Sequence, residues 1–186
     1  TAIQCIPHLG EHAKELFVFQ RTPSSVDVRN NAETDPAWAA QLEPGWQKRR
    51  MDNFNTLVSG GDADEDLVHD GWTDIFRKLT GIAAKTAGRE LGRRLTGAGR
   101  AHLMDMADYR KMNEVRARVD AIVEDPATAE ALKPWYRQFC KRPCFHDEYL
   151  QTYNRPNVHL VDTHGQGVER ITERGVVVAG QEYALD

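Results

Sequence analysis

The sequence predicts a mixed α/β fold: a domain with a parallel sheet, interrupted by a large, mostly helical insertion. Three observations predict it. The chain opens with a helical pattern followed at once by a short, continuous apolar strand. Alternating and β-rich segments return only from residue 157. Nearly everything between reads as helix.

At the start, Ala2, Ile3, Cys5, Ile6 and Leu9 recur at helical spacings, and Gly10 is the expected stop. The run Leu16-Phe17-Val18-Phe19 is rich in β-formers and suits a strand buried on both faces, ended by Pro23. Helix then buried strand is the second half of a βαβ unit. Next, "DPAWAAQLEPGWQKRRMDNFNTLV" reads as one or two helices with Pro36 and Pro44 near their starts. "SGGDADED" is an acidic loop, and residues 71–95 are helical but glycine-rich. "DMADYRKMNEVRARVDAIVED" is amphipathic, with Met112, Val115, Val119 and Ile122 on one stripe. Pro126 opens a short helix, "PATAEAL". Then "NVHLVDT" alternates as a strand, and "VERITERGVVVAGQEYALD" reads as a meander turning at residues 173–175 and 180–181. The expected organisation is a Rossmann-like domain from residues 1–35 and 135–186, with a helical insertion at 36–134. Because the chain begins without Met inside a helix and stops within a strand, it is expected to be a piece of a longer protein, truncated at both ends.

Composition narrows the function. With 40% hydrophobic and 28% charged residues, the 186-residue chain should fold rather than stay disordered. A formal charge of −4 argues against a nucleic-acid partner. No apolar run approaches the roughly 18–20 residues that span a bilayer, and no signal peptide opens the chain. Three cysteines, an odd and small number, point to free thiols in a reducing, cytoplasmic setting. Oligomeric state leaves no trace in the sequence.

Two basic sites could carry chemistry. Arg21 follows the first strand, where a nucleotide-binding βαβ unit meets the adenosine ribose. An acid there reads the free 2′-hydroxyl of NAD, whereas an arginine suits the 2′-phosphate of NADP. Its planar fork matches phosphate oxygens, and Thr22 could add a hydroxyl. The plainer alternative is a surface arginine ending a strand. Lys141 and Arg142 form the second site, flanked by Phe139, Cys140, Cys144 and Phe145; a low-dielectric setting would strengthen their action on an anion. A solvated pair near a helix end is the alternative.

Other clusters are weaker. Cys140, Cys144 and His146 lack the second ligand pair of a zinc site, so no metal is expected. Asp62, Asp64 and Asp66 imitate a calcium loop, but Leu67 stands where its glycine belongs and Thr73 where its glutamate belongs. The basic stretch Arg77–Arg100 reads as a helix surface. His159 and His164 show no convergent partner. Trp46, Trp72 and Trp135 are expected to serve packing.

The segment "CKRPCFHDEYLQTYNRPNVHLVDT" resembles the part of type I Baeyer–Villiger monooxygenases in which a Lys-Arg pair precedes a Tyr-rich turn, "NR-x-NV" and a strand. "TAIQCIPHLGEHAKELFVFQRTP" is similar to the stretch after that family's second dinucleotide fingerprint, and "GVVVAGQEYALD" to its later hairpin. The resemblance implies an NADP-binding portion of an FAD- and NADPH-dependent enzyme that, with O2, converts ketones to esters or lactones. Arg21 and Lys141 would bind the 2′-phosphate with Thr22 assisting. Arg142 would be the catalytic residue, lying over the flavin and steadying a negatively charged peroxyflavin; a guanidinium does this without titrating. FAD would be held mainly by parts of the parent protein outside these residues, as would the glycine fingerprints. The fragment alone is therefore expected to be inactive. An N- or S-oxygenating flavin monooxygenase domain, or a noncatalytic helical module on a Rossmann remnant, is the alternative.

Overall fold

A computed structural model describes residues 2–59, 61, 63–75 and 97–185. The chain divides into two compact units, Thr1–Val26 with Met112–Asp186, and Asp27–Lys111. Residues 112–134, grouped with the insertion on sequence alone, count with the first unit.

The first unit begins with helix α1 (Ala2–His12) and strand β1 (Leu16–Gln20). Gly10 lies inside α1 and is buried; it does not stop the helix. A Cβ there would stand 2.8 Å from the Thr152 methyl and 3.2 Å from a Val158 methyl. The glycine therefore marks a close contact between helix and sheet, not a terminus. Gly10→Leu should lower stability by about 1–3 kcal/mol, the usual cost of overpacking, read as a shift in denaturation midpoint at unchanged slope. An unchanged midpoint would remove this contact from the account.

β1 pairs in parallel with a later strand, Val158–Asp162, in the register Leu16↔Val158 to Gln20↔Asp162. Both strands thus end at the same edge. β1 is only half-buried along most of its length, not enclosed on both faces as its apolar run suggests. Leu16 and Val18 lean on the core. Phe17 and Phe19 turn to the other face and pack edge-to-face with Tyr183, ring centres 5.4 and 5.3 Å apart.

The core joins Ile6, Val119, Val123, Leu132, Leu150 and Val158. Val119 comes from the amphipathic helix, here Gly97–Ile122, whose Met112, Val115 and Val119 are buried as the stripe predicts. The short helix Pro126–Leu132 follows, with Asp125 as N-cap accepting from the Thr128 N–H at 2.8 Å. The chain then runs through Cys144–Phe145, a 3₁₀ turn at Gln151–Asn154, and the Val158–Asp162 strand. An antiparallel meander closes the unit: Arg170–Ile171, Gly175–Val178 and Gln181–Ala184. Its second turn holds Ala179 (φ 50°) and Gly180 (φ 77°), both left-handed as a type I′ two-residue hairpin turn requires.

The second unit holds two of the expected helices, Pro36–Ala39, capped by the Asp35 carboxylate, and Trp46–Val58. Lys111 and Asp27 form a close ion pair, both largely buried. In the acidic loop, Asp66 accepts from the Val68 and His69 N–H groups. Burial pushes its carboxyl up, but these bonds and Thr73 outweigh that and hold it below the usual range. This carboxylate organises its own loop. Residues 71–75 are helical. The rest of the helix expected over 71–95, and most of the basic Arg77–Arg100 stretch, lie outside the described residues. No helix among the described residues is long and apolar enough to cross a membrane.

Candidate functional site

The two parallel strands present their carboxyl ends, Gln20 and Asp162, side by side. In open α/β sheets such an edge is where ligands bind. The loops leaving it are tightly anchored. The Gln20 side-chain amide donates to Ala131 O at 2.8 Å, tying β1 to the Pro126–Leu132 helix. After the second strand, the Thr163 N–H donates to Gln20 O at 2.8 Å and the Gly165 N–H to Arg21 O at 2.9 Å. The Tyr136 hydroxyl accepts from the Ser25 N–H at 2.9 Å and donates to Pro23 O at 3.1 Å, clamping the loop that carries Arg21 and Thr22.

Lys141 comes to this loop from far along the chain. Its ammonium donates to Thr22 Oγ1 in a close contact and to Pro23 O at 3.3 Å, and lies 4.7 Å from the centre of the Tyr136 ring. Burial, and then the Arg21 cation, hold the Lys141 ammonium below the usual lysine range. Arg21, Thr22 and Lys141 are thus brought together. Arg142, next in the chain, is exposed. Its carbonyl accepts a weak contact from the Cys144 thiol at 3.5 Å. Among the described residues, no carboxylate pairs with Arg21, Lys141 or Arg142. Two cations side by side repel, and a third stands next in sequence, so an anion between the first two would be strongly favoured.

The site opens into a cavity of about 750 Å³, lined by Thr22, Pro23, Trp135, Tyr136, Lys141 and Asp162 among others. Asp162 accepts from the His164 N–H at 2.9 Å. Trp135 does not serve core packing, as its type suggests: it is 68% exposed. The Arg116 guanidinium lies 4.3 Å from its ring centre. That arginine is itself buried and bonded to Pro134 O at 2.9 Å and Asn113 Oδ1 at 2.6 Å. His159 also gains a partner the sequence did not reveal: its Nε2 lies 2.6 Å from Glu15 Oε2, and its ring stacks on Phe17. Cys140 and Cys144 are free thiols, and burial pushes Cys144 up, away from the thiolate form.

Sequence reasoning missed Tyr136 and Trp135. Tyr136 bonds across 111 and 113 positions, which no local spacing records. A signal existed for Trp135. It follows Lys133-Pro134, where a helix must end, so it had to leave the helical stripe that buries its neighbours.

No family model matches the chain. Over its full length, however, it is 62% identical to neopentalenolactone D synthase of Streptomyces avermitilis and 58% identical to Baeyer-Villiger monooxygenase ATR8 of Stachybotrys chlorohalonatus. It covers 30% and 29% of those proteins, so the chain spans less than a third of the relatives it matches. Among solved structures, the polycyclic ketone monooxygenase of Thermothelomyces thermophila superposes with a TM-score of 0.76 at 41% identity, covering all of this chain and 30% of that one. An oxidized steroid monooxygenase bound to NADP superposes at 0.64 with 27% identity, covering 99% of this chain and 35% of that one.

Proposed function

We propose that this chain is the NADP-binding portion, Rossmann-like in architecture, of an FAD- and NADPH-dependent Baeyer–Villiger monooxygenase that oxidises ketones with O2 to esters or lactones. One observation carries the reading: Arg21, Thr22 and Lys141 converge at the carboxyl edge of a parallel strand pair, with no carboxylate partner for the two cations among the described residues. The homologous relatives, one of them named a Baeyer-Villiger monooxygenase, and the ketone monooxygenase neighbour supply the reaction class. The neighbour bound to NADP supports the coenzyme.

The residues fit the extra phosphoryl group of NADP. The Arg21 fork and the Lys141 ammonium provide charge-assisted donors. Because Lys141 already donates to Thr22 Oγ1, that hydroxyl keeps its own hydrogen for a phosphate oxygen. Tyr136 holds the loop in place, so little ordering is left for the moment of binding. Arg142 adds a permanent charge beside this site, which we assign to the oxygen-transfer step. When bound, NADPH supplies the hydride and FAD the redox chemistry that activates O2. Three free thiols fit a reducing, cytoplasmic setting.

Calorimetric titration of the full-length protein with NADP and NAD tests the coenzyme reading. NADP should bind about 10- to 1000-fold more tightly, the worth of one or two charge-assisted contacts. The preference should fade as pH rises toward the depressed Lys141 value, below the ordinary lysine range, because the phosphate then faces a neutral amine. Equal affinity for the two coenzymes at neutral pH would overturn the proposal.

A further inference from the structure

We infer that Trp135 is the stacking platform for the adenine ring of the dinucleotide, a contact that reads the base and not the extra phosphate. The inference rests on the coenzyme reading above and extends it to a second group of the same ligand.

A tryptophan left 68% exposed forgoes much of the burial that usually holds this side chain. Here it is also held in place. Pro134, immediately before it, is fully buried, and the chain has just left the Pro126–Leu132 helix. Arg116, buried beneath, places its guanidinium 4.3 Å from the ring centre. That guanidinium is fixed by Pro134 O and Asn113 Oδ1. The indole is therefore supported from one side by a fixed cation and open on the rest, a rigid aromatic surface with little entropy to lose on binding.

Its position is equally specific. Trp135 lines the same cavity as Thr22 and Lys141, and its neighbour Tyr136 lies under the Lys141 ammonium. The apolar side chains of Pro23, Ala127 and Ala131 form other parts of the wall. A planar, largely apolar ring attached to a phosphorylated ribose matches a cavity whose wall holds the Lys141 and Lys133 cations, the indole and small aliphatic groups beside the Glu130 and Asp162 carboxylates. Every base offers a π face, and base–aromatic stacking is substantial when measured by alanine substitution. A purine is favoured over the nicotinamide end because the ring in question must adjoin the phosphate-bearing ribose.

Two substitutions test this in the full-length protein, by calorimetric titration with NADP and NAD. Trp135→Ala should weaken both coenzymes by a similar factor, roughly 10- to 100-fold, leaving their ratio unchanged. Trp135→Phe, which keeps an aromatic face, should recover most of that loss. Arg21→Ala is the counterpart, since it should change the ratio. If the wild-type protein binds both and Trp135→Ala binds them as tightly, the inference fails while the coenzyme reading stands. It also fails if Trp135→Ala weakens NADP alone, or if Trp135→Phe is as weak as the alanine variant. If the wild-type protein binds neither dinucleotide, the coenzyme reading fails and takes this inference with it.

Discussion

Arg142→Ala in the full-length protein should lower ester formation by about 10²- to 10³-fold while flavin reduction by NADPH stays near the wild-type rate. The magnitude is that of removing one preorganised electrostatic donor from a site of developing negative charge. The split between the two half-reactions follows from position. Arg142 is exposed and adjoins Lys141 in the chain, yet it lies outside the Arg21, Thr22 and Lys141 group proposed to read the phosphate. Its loss should leave coenzyme binding, and so hydride delivery, largely intact. Arg142→Lys keeps the charge and loses the planar fork, so it should recover only part of the activity. Stopped-flow absorbance follows flavin reduction, and product analysis follows the ester. Wild-type ester yield from Arg142→Ala would remove the assigned role, and so would a parallel loss in both half-reactions.

Arg21→Ala should weaken NADP by about 10- to 100-fold and leave NAD unchanged, because a charge-assisted bond to a phosphate is worth roughly 1.5–3 kcal/mol. The loss should be smaller than that of the Arg21→Ala, Lys141→Ala pair, but the two single effects should not add. Arg21 is one of the causes that depress the Lys141 ammonium. Removing the guanidinium lets Lys141 hold its proton to higher pH, so the two substitutions are coupled. The NADP preference of Arg21→Ala should therefore persist to higher pH than that of the wild type. Equal weakening of NADP and NAD would place Arg21 elsewhere on the ligand, and an unchanged preference would remove it from the site.

Local signals carried much of the fold. The Met112, Val115 and Val119 stripe, the Asp125-Pro126 helix start, the parallel-type strand at Leu16 and the closing meander were all legible, because period and capping are properties of neighbouring residues. Where the reading went astray, the cause was a distant contact. Gly10 resembled a helix stop, but the Thr152 and Val158 methyls are what require it. Trp135 resembled core, but the buried Pro134 and Arg116 left it outside.

The residue types at the strand end and in the Lys-Arg pair, and the order of the elements that present them, are written in the amino-acid string. That Lys141 meets Thr22 and senses Arg21, that Tyr136 clamps their loop, and that Trp135 lines the same cavity are consequences of folding. The difference lies in separation along the chain. Helical and strand periodicities are fixed by steric and hydrogen-bonding rules acting over a few residues. A contact between positions 22 and 141 exists only once a parallel strand pair and the packed helices have closed the intervening loop.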